Sequence, residues 1–468
     1  MRRRSPRKNK AMRFTRPGRF VFFLTFCAGL GGILYGYDIG VISGALVYIR
    51  RTIPLTTAQA ELIVGAVLLG SLLGTLLSGS LADLLGRKKM ILSACVIFVV
   101  GVVTILLSTT FLGLLCARML LGVGVGVLAV TVPLYLSEVV PASVRGRSVS
   151  SFQIFLTLGI LIAYIADYCF TASGNWHGMF LIILIPTVCL FVGMLYAPET
   201  PRWLLSKNKS TLARNVLSKI QGADGVDAQM KEIQASLDRT SVGWSSLFQK
   251  QLIFPLSVAL VIAVCNQLTG VNVILQYAPT FFAAANIKLQ SMSMIATMGI
   301  GVIQFIFTLL AMAFIDVVGR KRLLLIGTCG LIVADLVIAL SFSFLKAYTF
   351  HTGIIVAGLF LYIAFYAAGP GVVVWLVISE LLPTKVRGKA IAFSLFINGI
   401  IAALLSSTFL TLVRDLGMAD IYLCFAAFTV LYFLVAKYAL FETKGHTLEE
   451  IQLHYEGLVQ PDFNVAPE

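Results

Sequence analysis

Two charged residues stand alone in strongly apolar sequence and are the first candidates for chemistry. Asp38 lies within 29-GLGGILYGYDIGVISGA-45, and Arg118 lies within 116-CARMLLGVGVGV-127, where it is the only basic residue in the middle of a span. An ionisable group at membrane depth is costly and usually marks an ion or substrate pathway. An isolated buried charge is strongly disfavoured, so Asp38 and Arg118 are expected to pair. Such a pair has two readings: a static clasp between two helices, or a carboxylate that takes up a proton and releases the arginine. A second cluster lies in 265-CNQLTGVNVILQYAP-279, which holds Asn266, Gln267, Asn272 and Gln276. Each amide offers a donor and an acceptor without net charge, which suits a sugar hydroxyl. A single amide would read as glue between helices, at around 1 kcal/mol. Four within eleven residues favour a hydroxyl-rich ligand.

These residues must be held by helices. Gly32, Gly36, Gly40 and Gly44 recur every four residues and line one helical face. Small residues at that spacing let a neighbouring helix approach closely in lipid. Asp38 points about 200° away from Gly36, so the first helix offers a packing face and a carboxylate face. Asn272 and Gln276 share a face one turn apart, and Gly270 and Pro279 are expected to interrupt their helix.

The whole chain has the composition of a polytopic membrane protein. Of its 468 residues 58% are hydrophobic and only 12% charged, against roughly 25% in a soluble domain. Apolar spans fall near 20–48, 58–82, 89–109, 112–137, 147–170 and 178–197, and again near 252–284, 291–316, 322–345, 352–381, 388–413 and 419–441. Each is close to the roughly 20 residues that cross a bilayer. The polar stretch between the halves predicts short surface helices over 202–222 and 228–238, broken at Gly222 and Gly225. The expected organisation is a basic tail (1–19), a first six-helix bundle (20–198), a helical linker (199–250), a second six-helix bundle (251–441) and a C-terminal tail (442–468).

Nine Lys and Arg precede the first span, and 29 of the 36 in the chain fall on that same side of the membrane. The positive-inside rule then places both termini in the cytoplasm. A net charge of +15 distributed this way indicates membrane orientation, and nucleic acid is not an expected partner. The eight cysteines all lie in apolar spans without a CxxC pair, and the four histidines are scattered. No metal site, cofactor or disulfide framework is expected. No nucleophile–base or phosphate-loop arrangement appears, so an enzyme is not expected.

The halves repeat each other. The stretch 79-GSLADLLGRKKM-90 returns as 312-MAFIDVVGRKRL-323, and 137-SEVVPASVRGR-147 returns as 379-SELLPTKVRGK-389. Internal duplication of this kind builds many transporters. In each copy acids and bases lie together at the cytoplasmic helix ends: Asp83 with Arg87, Glu138 with Arg145, Asp316 with Arg320 and Glu380 with Arg387. They can act as topology signals and loop caps. They can also form a conformational latch, made in one state by pairing with the adjoining bundle and broken in another. An exposed ion pair contributes only about 0–1 kcal/mol, but several together bias a rocking equilibrium.

With GRKK, GRKR and the two SE-x-x-P-x-x-x-RG turns go 198-PETPRWLL-205 and 442-ETKGHTLEEI-451. On these motifs the chain resembles, over essentially its whole length, the sugar porter family of the major facilitator superfamily, and within it the bacterial sugar–proton symporters. The resemblance implies an all-α membrane protein with twelve transmembrane helices in two six-helix bundles, moving substrate by alternating access. It implies proton coupling through Asp38 and Arg118, since passive glucose carriers of the family replace the acid. It assigns sugar contact to Gln153, Gln267, Asn272, Trp375 and Asn398, with Trp375 as an apolar platform for the ring. Asn266, Gln276 and Gln304 join the candidate set where the family more often has Gln, Tyr and Asn. Gly399 stands where a Trp is frequent, and Ala367 where some members carry an acid. These departures enlarge the site and make it more polar, so a pentose, another hexose or a cyclic polyol is open beside glucose.

The expected partners are a small sugar or polyol, protons and the lipid bilayer, for a monomer in a cell membrane, the bacterial inner membrane by resemblance. A passive facilitator with a structural Asp38–Arg118 pair is the alternative mechanism, and a membrane sugar sensor the alternative class. Two further acids have no assigned role. Asp335 is expected to face a polar neighbour within its bundle, and Asp167 to reach water near the outer end of its span.

Overall fold

The computed structural model describes residues 18–222, 225–237, 244–287, 289–345, 348, 350–382, 386–446 and 448–455. Most of the basic tail and residues 456–468 of the C-terminal tail lie outside the described residues. Among the described residues all regular structure is helical. The first half comprises α1 (Arg19–Thr52), α2 (Thr57–Leu85), α3 (Arg87–Leu107), α4 (Phe111–Val139), α5 (Ala142–Cys169), α6 (Trp176–Leu181) and α7 (Leu184–Tyr196). Short helices α8 (Pro201–Ser206), α9 (Ser210–Gln221) and α10 (Val226–Leu237) follow. The second half comprises α11 (Lys250–Leu268), α12 (Val271–Gln276), α13 (Ala278–Ala284), α14 (Gln290–Val318), α15 (Arg320–Phe344), α16 (His351–Ala368), α17 (Pro370–Glu380), α18 (Arg387–Leu416) and α19 (Met418–Tyr438), and α20 (Leu448–Tyr455) closes the described chain. Twelve stretches are long and apolar enough to cross a membrane, six in each half. The protein is a multi-pass membrane protein of two six-helix bundles.

Glycine faces set the packing of the first bundle. A Cβ on Gly36 would fall 1.9 Å from the carbonyl oxygen of Leu156, and one on Gly32 would fall 2.6 Å from that of Phe152. The expected glycine face of α1 is therefore the surface on which α5 lies, backbone close to backbone. Helices α2 and α4 interlock reciprocally: Gly70 and Gly74 meet the carbonyls of Met119 and Val123, while Gly122 and Gly126 meet those of Val67 and Ser71.

The breaks expected in the seventh span are present. Gly270 adopts the left-handed region at φ 89°, and Pro279 follows the second break at Tyr277. The tenth span, expected near 352–381, is divided at Gly369 before Pro370. Proline lacks an N–H and clashes with the preceding turn, so the helix restarts there. The surface helix expected over 202–222 is likewise two helices, parted where Asn208 takes φ 58°.

The two bundles meet through α2 against α18, α5 against α14, and α1 against α12. We call the end that carries Arg19 and the 86–87 and 319–320 turns the near end, and its opposite the far end. Contacts between the bundles are tight toward the far end. A Cβ on Gly65 would overlap Ser407, and one on Gly301 would crowd Tyr164. Glu61 of α2, 2% exposed, accepts from the Thr411 amide at 2.6 Å and from its hydroxyl at 2.8 Å, so one carboxylate spans both bundles. Arg51 donates to Gln290 across the same end at 2.6 Å.

Candidate functional site

Asp38 and Arg118 meet as expected. Arg118 Nη1 donates to Asp38 Oδ1 at 2.8 Å, with the two side chains 1% and 0% exposed. The guanidinium also lies over the Phe180 ring, 5.7 Å from its centroid, a favourable placement for a cation. The pair is nevertheless incompletely satisfied: Asp38 Oδ2 and Arg118 Nε and Nη2 have no hydrogen-bond partner among the described residues. A clasp selected only for stability would engage both carboxylate oxygens, because each unmet buried polar atom costs about 1–3 kcal/mol.

The amide cluster straddles the seventh-span breaks. Asn272 donates to Gln267 Oε1 at 2.7 Å, joining the two sides of the Gly270 break. Asn266 Nδ2 approaches the Tyr366 hydroxyl at 3.5 Å, while its side-chain oxygen Oδ1 has no partner among the described residues. Gln276 is 1% exposed, and neither of its side-chain polar atoms has a partner among the described residues. The side-chain amide oxygens of Gln304 on α14 and Asn398 on α18 are likewise buried and without a partner among the described residues. Gln153 on α5 and Trp375 on α17 are half-buried. Among the described residues no hydrogen bond joins Gln153, Gln304, Trp375 or Asn398 to the cluster on α11 and α12. Buried amides are normally hydrogen-bonded, so several polar atoms without partners are what a hydroxyl-rich ligand would satisfy.

Three tyrosines that sequence reasoning left aside hold this segment in place. Breaking a helix frees backbone carbonyls, which must find donors in a membrane interior. Tyr362 donates to Thr269 O at 2.8 Å, Tyr277 to Ser406 O at 2.9 Å, and Tyr164 of the first bundle to Leu275 O at 2.8 Å. The last of these ties the two bundles at the broken span. Glu61, the carboxylate shared by both bundles, was legible as an acid inside an apolar span.

At the near end the acids and bases combine differently from the expectation. Arg87 bonds Asp83 at 2.8 Å and Glu138 at 3.1 Å, and Arg320 bonds Asp316 at 2.9 Å and Glu380 at 3.4 Å. Glu138 therefore does not pair with Arg145, which is exposed and joins no ion pair among the described residues. Glu380 pairs with Arg320, and the side chain of Arg387 lies outside the described residues. Each of these ion pairs lies within one bundle.

Glu199 accepts from the backbone amides of Arg87 and Lys88, at 3.0 and 3.2 Å, and Thr200 donates to Glu138 at 2.6 Å. In the second bundle Glu442 accepts from Arg320 and Lys321, and Thr443 donates to Glu380. A carboxylate on the first amides of a helix is favoured by the helix dipole. The signal for these partners was a third repeat, the Glu-Thr pairs at 199–200 and 442–443.

The two unassigned acids differ in outcome. Asp167 is fully buried and does not reach water. Asp335 is also fully buried; the tyrosines Tyr362 and Tyr422 are polar neighbours within electrostatic reach, as expected, but neither of its oxygens has a hydrogen-bond partner among the described residues.

A sequence model of the family described as "Sugar (and other) transporter" matches residues 24–455. The D-xylose transporter of Levilactobacillus brevis is 35% identical over 438 residues, covering 92% of this chain and 94% of that one. The galactose-proton symporter of Escherichia coli is 34% identical over 457 residues, covering 95% of each. A solved structure of the xylose transporter XylE from Escherichia coli, in a partially occluded inward-open conformation, superposes with a TM-score of 0.79 at 26% identity. It covers 92% of this chain and 99% of that one.

Proposed function

The chain belongs to the sugar transporter family, whose matched members are transporters and not enzymes, and from that premise we propose that it imports a monosaccharide or cyclic polyol together with a proton. The single observation that carries this reading is the incomplete pairing of Asp38 with Arg118, which leaves Oδ2 open to protonation. The names of two relatives and solved structures support it: one is a galactose-proton symporter and another a proton:xylose symporter. In this reading a proton binds Asp38 and frees Arg118. Sugar engages the unpartnered amides, and the bundles rock to open the opposite end. A membrane potential of 100 mV supplies about 2.3 kcal/mol per charge, enough for a sugar gradient of about fifty-fold.

The near end is cytoplasmic in this proposal, on the strength of its Lys and Arg, and the far end faces outward. The carrier works as a monomer in the bacterial inner membrane. The ion-pair clusters at 83–87, 138, 316–320 and 380 hold each bundle rigid and serve as a latch at the near end when it closes. A passive carrier is favoured by one observation only, that the Asp38–Arg118 bond links α1 to α4 within one bundle. Alkalinisation of the medium when sugar is added to de-energised cells, and uptake that collapses with a protonophore, are the expected results. Accumulation that survives the protonophore would exclude coupling. Thermal stabilisation of the purified protein across pentoses, hexoses and inositols identifies the substrate.

The far-end contacts give a separate prediction. Hydrogen bonds to a charged group contribute about 1.5–3 kcal/mol, and Glu61 accepts two from Thr411. Glu61→Ala is expected to shift the population toward a form open at the far end by about tenfold or more. A cysteine at Ala403, buried on α18 beside Leu68, then becomes faster to label with a membrane-impermeant thiol reagent. Unchanged labelling would show that closure does not depend on Glu61.

A further inference from the structure

Asp167 has no role in the site described above, yet the structure builds a place for it. Its Oδ2 accepts from the Gly44 backbone amide at 3.0 Å and from the Ser43 hydroxyl at 3.4 Å, while Oδ1 has no partner among the described residues. A Cβ on Gly44 would fall 2.4 Å from the carboxyl carbon, so glycine there is what admits the carboxyl against α1. The side chain is fully buried, only two residues from the far end of α5.

We propose that Asp167 is a second proton-binding carboxyl, and that it must be neutral for the far end to close. This rests on the alternating-access reading, and it does not require Asp38 to be the coupling site. An ionised carboxylate buried among neutral donors carries a large desolvation penalty, whereas the protonated acid is buried at far lower cost.

No cation neutralises Asp167 among the described residues. On α1, Tyr37 gives its hydroxyl to Met179 O, Arg51 donates to Gln290 and Arg50 is exposed. On α4, Arg118 holds Asp38, and on α6, His177 stacks on Trp176. On α5 itself, Tyr164 donates to Leu275 O, and Arg145 and Arg147 lie at the near end. On α14, Asp316 is at the near end, bonded to Arg320.

Tyr164 sits one turn before Asp167 and about 60° around the helix, so the bundle-to-bundle bond at Leu275 lies beside the carboxyl. Opening the far end breaks that bond and lets water reach Oδ1. There the group exchanges a proton with the outer solution. Closing returns it to its dry site, where only the protonated form is favourable. Acid outside thus promotes closure over bound cargo, the direction import requires.

The test reads far-end accessibility without sugar or gradient, using the Ala403 cysteine and an impermeant thiol reagent in acidic and alkaline medium. The parent protein is expected to label faster as pH rises. The comparison is made with Asp38→Asn present in both proteins, which removes the pH response of the coupling pair; there Asp167→Asn, a permanent mimic of the neutral acid, is expected to label slowly at every pH. If Asp167→Asn keeps the parent's pH dependence, the proposal is wrong. Ser43→Ala offers a milder variant should Asp167→Asn fail to fold. It removes a donor to the carboxylate, which raises the proton affinity of the group, so the pH midpoint of labelling is expected to move upward. An unmoved midpoint overturns the proposal. Alkalinisation on sugar addition is scored separately, so loss of coupling and failure of the Asp167 proposal are told apart.

Discussion

Asp38→Asn is expected to abolish sugar accumulation driven by a proton gradient while leaving sugar-for-sugar exchange intact. Asparagine has the shape of the carboxylic acid and keeps an oxygen for Arg118 Nη1, now 2.8 Å from Asp38 Oδ1. It cannot exchange a proton, so it holds position 38 in the neutral state of the protonated acid while Arg118 keeps its charge. Net proton-linked uptake requires the site to lose its proton inside and regain it outside. Exchange requires only that the loaded carrier reorient, which the neutral side chain permits. The expected readings are loss of the alkalinisation that accompanies sugar addition, loss of protonophore-sensitive accumulation, and counterflow within a few-fold of the parent.

The same substitution separates the two readings of the pair. Breaking a buried ion pair by deleting one partner typically costs about 3–5 kcal/mol. A static clasp would therefore lose thermal stability and both modes of transport together. Arg118→Leu is the harsher control, since it strands Asp38 in a site with 0% exposure. Full retention of gradient-driven accumulation by Asp38→Asn would remove this residue from the coupling step.

The number of spans was legible because crossing a bilayer demands about 20 apolar residues, a constraint each span meets locally. The face of α1 that packs was legible from Gly32, Gly36 and Gly40. The identity of the partner, α5, was not, because any helix can use a glycine face. The breaks around Asn272 followed from Gly270 and Pro279. The break at Gly369 carried a similar Gly-Pro signal, but proline is tolerated inside membrane helices when neighbours re-satisfy the freed groups, so the signal alone did not decide. Nearness in sequence misled at Glu138. Arg145 is seven residues away, but Arg87 from another helix reaches the carboxylate, and Thr200 takes the other oxygen. The burial of Asp167 depends on Gly44, over a hundred residues earlier in the chain, and no local pattern encodes it.

Gln276→Leu is expected to make the protein more stable and unable to respond to its sugar. Gln276 is 1% exposed, and both its side-chain nitrogen and its side-chain oxygen lack partners among the described residues. Each buried group left unmet costs about 1–3 kcal/mol, and leucine of similar volume removes both. On stability alone this position should be apolar. Its polarity makes physical sense if a ligand supplies the missing hydrogen bonds, and a site built to bond hydroxyls loses several orders of magnitude when that bonding is removed. The substitution should therefore raise the melting temperature of the sugar-free protein by a few degrees and abolish sugar-induced stabilisation and uptake. A merely structural glutamine would behave otherwise: its replacement would lower stability, or leave sugar binding untouched. Asn266 has one unmet oxygen and a weak contact at 3.5 Å with Tyr366, so Asn266→Leu should show the same opposition with a smaller gain in stability. Gln267, already bonded to Asn272 at 2.7 Å, sets the contrast. Its replacement by leucine leaves Asn272 without its acceptor across the Gly270 break, so stability and sugar response should fall together.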